Sequence, residues 1–165
     1  MAFIDRIGFW GFAAILQALI LPLLCSGCGA KAEDFSTVFE IGAGAKTLSA
    51  QIALTDAEKA RGLMFRKSLP ENGAMFFIFE APRRASFWMK NTEIPLDIAF
   101  VAEDGTIAQI AKMYPRNLDA VESESDKIMF CIETNIDWFS KNGVKVGDKI
   151  DIAGLAKAVK QRRGE

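Results

Sequence analysis

The chain has 165 residues, half of them apolar, and a formal net charge of −1, which suits one domain with a short appendage and offers no clustered positive charge for nucleic acid. Histidine is absent, so Ser/His/Asp and Cys/His triads are excluded and ordinary zinc sites lose their commonest nitrogen ligand. The 13 phenylalanines and 3 tryptophans can fill a core without disulfides or metal, and nothing in the sequence asks for a cofactor.

Residues 1–30 read as a leader for export. Residues 7–24 form an uncharged run of 18 residues broken only by Gly8, Gly11, Gln17 and Pro22, with the small residues Ser26, Gly27, Gly29 and Ala30 after it, as in a secretory signal and its processing region. Cys25-Ser26-Gly27-Cys28 has the spacing of a redox pair, but that motif needs a helix start inside a folded domain. The stretch resembles a bacterial lipobox in which Cys28 is lipidated, with Cys25 where such motifs carry leucine. Cleavage after Ala30 gives a soluble exported product instead, and an uncleaved anchor is the third outcome. Localisation is therefore expected to be periplasmic, membrane-anchored through lipid at Cys28, or secreted, with the membrane met only through the leader.

Residues 31–36 are small or charged, apart from Phe35, and read as a tether, followed by one β-rich domain over 37–153. Short β-type runs at 37–41 and 46–54 flank Gly42-Ala43-Gly44-Ala45, which predicts a hairpin. Lys46-Thr47 does not complete a phosphate-binding loop, because Ala45 precedes the lysine and a strand pattern follows. Thr55-Asp56-Ala57-Glu58 is a capping box that should start a short helix ending at Gly62.

Further strands are predicted at 74–79, 86–90, 96–102, 106–113 and 127–133, separated by Asn72-Gly73, Pro82, Pro95, Asp104-Gly105 and Pro115. The run Met75-Phe76-Phe77-Ile78-Phe79 is apolar on both sides, which predicts a central strand covered twice. A helical turn is expected over 137–142, a last strand over 149–152, and a frayed basic tail over 154–165. The expected fold is mainly β, a compact antiparallel sandwich or closed barrel with one or two short helices.

The densest unusual stretch is WMKNTEIPLDIAFVAEDGTI, preceded by RGLMFRKSLPENGAMFFIF. With the Glu133 strand and a Val-Gly-Asp turn, residues 51–152 resemble the family known as domain of unknown function 192. The resemblance implies a single small β-rich domain, often behind a signal peptide or lipobox, and names no reaction. Its motif positions fall on Gly62, Leu63, Met64, Arg66, Met75, Trp88, Met89, Asn91, Thr92, Pro95, Leu96, Asp97, Gly105, Glu133, Gly147 and Asp148. Where family members carry an Ala-Gly pair after the glutamate, this chain has Ile136-Asp137.

Candidate ligand-binding residues are Trp88, as a flat stacking face, Asn91 and Thr92 on a loop edge, Asp97, and Arg66 as a pairing cation. Each has an ordinary packing or turn role as its alternative. Asp97 and Glu133 are weak catalytic candidates, since a glycosidase-type pair must face one cleft. The methionines suit core filling better than a Cu(I) site, and Cys131 suits a buried free thiol.

The reading that follows is an exported domain, non-catalytic, that binds a small ligand or serves an envelope partner. The alternatives are a carboxylate-dependent hydrolase acting on envelope polymers and a purely structural interaction domain.

Overall fold

The computed structural model describes residues 34–165. The leader and the lipidation expected at Cys28 lie outside the described residues. The domain is mainly β, with a six-stranded sheet in the order β1-β2-β3-β8-β5-β6 and a two-stranded sheet of β4 and β7.

The chain enters through the hairpin of β1 (Phe39–Ala43) and β2 (Lys46–Ala53), closed at Ala43↔Lys46. Helix α1 (Asp56–Arg61) follows, with Thr55 Oγ1 accepting from the Glu58 N–H and the Glu58 carboxylate accepting from the Thr55 N–H, as the capping box predicts. This crossover returns the chain to run parallel to β2, so β3 (Gly73–Arg83) pairs from Ser49↔Gly73 to Ala53↔Phe77. Strands β5 (Leu96–Ala102) and β6 (Ile107–Met113) form the hairpin expected around Asp104-Gly105. Strand β8 (Ile128–Asn135) lies antiparallel between β3 and β5.

The sheet is mixed and open, where an antiparallel sandwich or closed barrel was expected. Its parallel pair comes from the α1 crossover, and its edges β1 and β6 do not bond to each other. A short segment spans them instead: Ile150 bridges Ala43 and Lys149 bridges Thr106. Gly105, at φ +84, lies under this strap, and a Cβ there would meet Ile152 Cγ1 at 2.8 Å. The expected last strand is thus reduced to two bridges.

Among the described residues three helices form, one more than the upper expectation. The expected frayed tail is α3 (Ile152–Arg163), with Leu155 and Ala158 buried and Asp151 accepting the Gly154 N–H as its cap. The strand expected over 86–90 shrinks to β4 (Ser86–Phe87), paired with β7 (Val121–Glu122). Helix α2 (Trp138–Lys141) occupies the predicted helical turn.

Alternation along β3 builds two cores. Phe76 joins Ile41, Leu48, Val101 and Ile132 on one face, under Phe139 and Leu155. Met75 and Phe77 join Ile98, Phe100 and Cys131 on the other, under Leu63 and Met89. The double cover expected for this strand is present, and Phe76 and Phe77 each stabilise by about 2–3 kcal/mol through burial. The second face is the one that positions the candidate site, because loops rather than helices close most of it.

Candidate functional site

Three loops meet over the second face. Gly62 ends α1 and its N–H reaches the Glu58 carbonyl, turning the chain into residues 63–66. The Phe65 N–H then donates to the Asn91 carbonyl at 2.8 Å, and the Arg116 N–H donates to the Thr92 carbonyl at 3.1 Å. The Met89 N–H donates to the Asn117 carbonyl at 2.8 Å, so the 88–93 segment is held from both sides.

Phe65 and Asn91 both take the left-handed backbone, at φ 65 and 56. A bulky residue in that region costs about 1–2 kcal/mol, whereas asparagine is tolerated. Phe65 is also 69 % exposed, so neither burial nor conformational preference accounts for an aromatic there.

Arg66 is half-buried, and its guanidinium donates to the side-chain oxygen of buried Gln51. Burial holds its pKa below the usual arginine range, with the nearby Arg61 cation adding to the effect. Among the described residues no carboxylate pairs with Arg66. An open cavity of about 330 Å³ is lined by Gln51, Arg61, Met64, Phe65, Arg66 and the incoming residues Asp34, Phe35 and Ser36. A larger hollow of about 610 Å³ runs along Glu80, Ala81, Pro82 and Arg83 and touches none of these groups.

The two acids singled out from sequence are separated. Glu133 is in register with Met75 and Ile98, and directly paired antiparallel residues share a face. Asp97 precedes Ile98 in β5, so its side chain leaves from the opposite face. They face no common cleft, and the geometry of a glycosidase pair is missing.

Burial raises the Asp97 pKa, while the backbone N–H groups of Asp137 and Phe139 oppose that by facing its carboxylate. Asp137, the residue at the start of α2, makes no side-chain cap bond, and the buried Asp97 carboxylate stands beside that helix start with its Oδ1 lacking a hydrogen-bond partner. Asp137 stands at φ 65 and forms an ion pair with Lys112 at 2.6 Å.

Glu133 is 5 % exposed, and its Oε2 is buried without a hydrogen-bond partner. Burial alone lifts its pKa to about 8. Cys131 lies on the same face two residues earlier, a free buried thiol raised well above its ordinary value by burial and by Glu133. Gln51 is in register with Met75 from the other side, so Gln51, Met75, Glu133 and Ile98 form one row across four strands.

Thr92 is buried and its hydroxyl donates to the Lys90 carbonyl at 3.3 Å. Trp88 is half exposed, with the Lys90 ammonium 5.1 Å from its ring centroid. Asn91 reaches Met64, its amide 4.0 Å from the sulfur. Of the five expected ligand residues, Arg66 and Asn91 therefore lie on two loops joined at Phe65 and Met64 without contacting each other, Trp88 is half exposed on the Asn91 loop, Thr92 braces that loop, and Asp97 belongs to the other face.

A family model described as an uncharacterised ACR, domain of unknown function 192, matches residues 37–152. The chain belongs to this family. Two solved structures resemble this member in fold. One is a protein of unknown function from Novosphingobium aromaticivorans, 30% identical, with a TM-score of 0.67, covering 73% of this chain and 91% of its own. The other, from Sinorhizobium meliloti, is described as a candidate transcription regulator; it is 29% identical, with a TM-score of 0.69, covering 75% of this chain and 100% of its own. No curated protein matches the chain.

Within this domain of unknown function 192 member, the sequence reading missed Gln51, Arg61 and Phe65 as cavity residues. Gln51 gave a signal, as a polar residue inside the β-type run 46–54. Phe65 gave none, because its left-handed backbone depends on the Asn91 carbonyl 26 positions away in sequence. The Ile136-Asp137 departure is accommodated, since Asp137 takes a backbone that glycine adopts freely.

Proposed function

We propose that this protein is an exported domain that binds a small ligand without performing chemistry on it, in the cavity between Gln51, Arg61, Met64, Phe65 and Arg66. The observation that carries the reading is Arg66, a half-buried cation bonded to a buried amide and lacking an acid partner among the described residues. Such a guanidinium favours a ligand with a carboxylate or another planar anionic group. The rigid loop edge at Phe65 and Asn91 supports the reading, because a site held in place binds at lower entropic cost. The incoming residues Asp34, Phe35 and Ser36 line the cavity, which would bring the expected leader or lipid at Cys28 close to the ligand.

The net charge of −1 argues against nucleic acid as that ligand. The hydrolase alternative has no support in a shared cleft, as Asp97 and Glu133 project from opposite faces.

A thermal-shift screen of small mono- and dicarboxylates against wild type and Arg66→Gln tests the proposal. Stabilisation of wild type that is lost in Arg66→Gln supports it. Equal shifts in both proteins, or no shift across the panel, would reject it.

A further inference from the structure

Beside the cavity, which takes in Phe65, the same laced loops turn further large apolar side chains to solvent. Phe65, Trp88, Tyr114 and Leu118 are 69%, 50%, 58% and 64% exposed, and they sit on the three loops laced by the Phe65–Asn91, Met89–Asn117 and Arg116–Thr92 backbone bonds. Single exposed apolar residues need no cause, but four on loops fastened to one another mark a contact surface.

The charge of these loops differs from that of the chain. Residues 61–67, 88–93 and 114–119 carry five basic side chains against two acidic ones, in a protein whose net charge is −1. Glu93 is already engaged by Lys67 and Arg116, while Lys90 sits over the Trp88 ring, where its charge stays outside the core. Aromatic rings with a polar or cationic edge, interleaved with lysine and arginine, are the chemistry that settles into the headgroup region of an anionic bilayer.

The path of the chain selects a bilayer over a soluble acidic partner. Asp34, Phe35 and Ser36 line the same cavity as Phe65 and Arg66, so the polypeptide enters the domain beside this surface. From Cys28 to Asp34 there are six residues, which extend at most about 20 Å. A leader or lipid at Cys28 would therefore hold Phe65 and its neighbours within reach of the membrane that it occupies.

We infer that the Phe65, Trp88, Tyr114 and Leu118 face, with Lys90, is a second membrane contact that seats the domain against anionic phospholipid. It goes beyond the ligand reading, which concerns the cavity: the two share Phe65, while Trp88, Tyr114 and Leu118 line no part of that cavity. The leader alone would leave the domain free to tumble on its tether; this contact fixes which side faces the lipid.

Both cores are built from residues between Phe39 and Ala158. The protein beginning at Lys31 therefore keeps its whole interior and removes the leader's own affinity. Its sedimentation with phosphatidylcholine vesicles is compared with vesicles that contain about 30% phosphatidylglycerol, whose negative surface attracts lysine and arginine. Binding to the anionic vesicles only is expected, with about a five-fold loss for Lys90→Gln, the equivalent of one basic contact. Trp88→Ala should also weaken it, and Val146→Ser, an exposed apolar position on the turn before Gly147, should not.

Trp88 and Trp138 are the tryptophans left in this protein, and Trp138 is buried, so a blue shift of emission on anionic vesicles reads Trp88 directly. That readout holds even for a variant that melts at lower temperature. No sedimentation, no shift, equal losses in Val146→Ser, or a blue shift of Trp88 with soluble polyglutamate as large as with anionic vesicles would overturn the proposal, the last by making the partner an acidic macromolecule.

Discussion

The Arg162 guanidinium donates to Glu58, and through that one carboxylate the C-terminal helix is fastened to the capping box of α1. Glu58 Oε2 at the same time accepts the Leu54 and Thr55 N–H groups at 2.8 and 3.0 Å. Both side chains are largely buried, so solvent screens the pair little. Arg162→Met should cost about 2 kcal/mol by leaving a charged acceptor short of a donor. Urea unfolding at neutral pH measures it, and a change under about 0.5 kcal/mol, the size of an ordinary surface substitution, would mean that the apolar face of α3, Ile152, Leu155, Ala158 and Val159, holds it instead.

Asp97 and Asn91 were grouped as ligand residues in the sequence reading and are separated by the structure. Asp97 is buried on the far face beside the start of α2, where the Asp137 and Phe139 N–H groups favour its carboxylate, so Asp97→Ala should lower stability by about 1–3 kcal/mol. Asn91 already holds a backbone that glycine accepts, so Asn91→Gly should stay within about 0.5 kcal/mol of wild type. Thermal melts of the two variants side by side decide it. Equal losses would return Asp97 to the loop site or make Asn91 a structural residue.

The fold was legible wherever a local rule sufficed. Thr55 and Glu58 announce α1, Asp104-Gly105 announces the β5–β6 hairpin, and Met75 to Phe79 announce a doubly covered strand. The parallel β2–β3 pair was hidden because pairing direction depends on where the α1 crossover leaves the chain, which no residue pattern encodes. Helix α3 was legible and was passed over: Asp151 caps it, and Leu155, Ala158, Val159 and Arg162 follow the helical spacing of one face. At the site, Asn91 stood out as an amide on the edge between a strand and Pro95, and Arg66 as a cation in want of a partner. Phe65 did not, because what makes it unusual is a backbone angle rather than its side chain.

That angle makes Phe65 a direct test of whether the exposed ring is kept for contact. Phe65→Gly relieves the left-handed strain of about 1–2 kcal/mol and introduces the backbone entropy of glycine, about 0.5–1 kcal/mol. Stability should therefore hold or rise slightly. A melting temperature lowered by several degrees would show that the ring packs in the folded protein more than its exposure implies.

Glu133 gives the protein a pH dependence of definite sign. Its carboxyl is raised from 4.5 to about 8 by burial, so the folded state holds its proton more tightly than the unfolded chain does. The stability it allows is intact below about pH 4.5 and is lost as pH rises towards 8, on the order of 5 kcal/mol over the window. Glu58 works the other way: burial opposes ionisation, but the Thr55 and Leu54 N–H groups and Arg162 lower its pKa on balance, so its contribution disappears on acidification. Unfolding free energies between pH 5 and 9 should therefore fall in wild type and stay nearly level in Glu133→Gln, which keeps the shape and removes the titration. The variant should be the more stable protein at the alkaline end. Parallel curves would mean that the buried Oε2 finds a donor in solution that offsets its desolvation, and the row from Gln51 to Ile98 would then be a satisfied polar layer instead of a strained one.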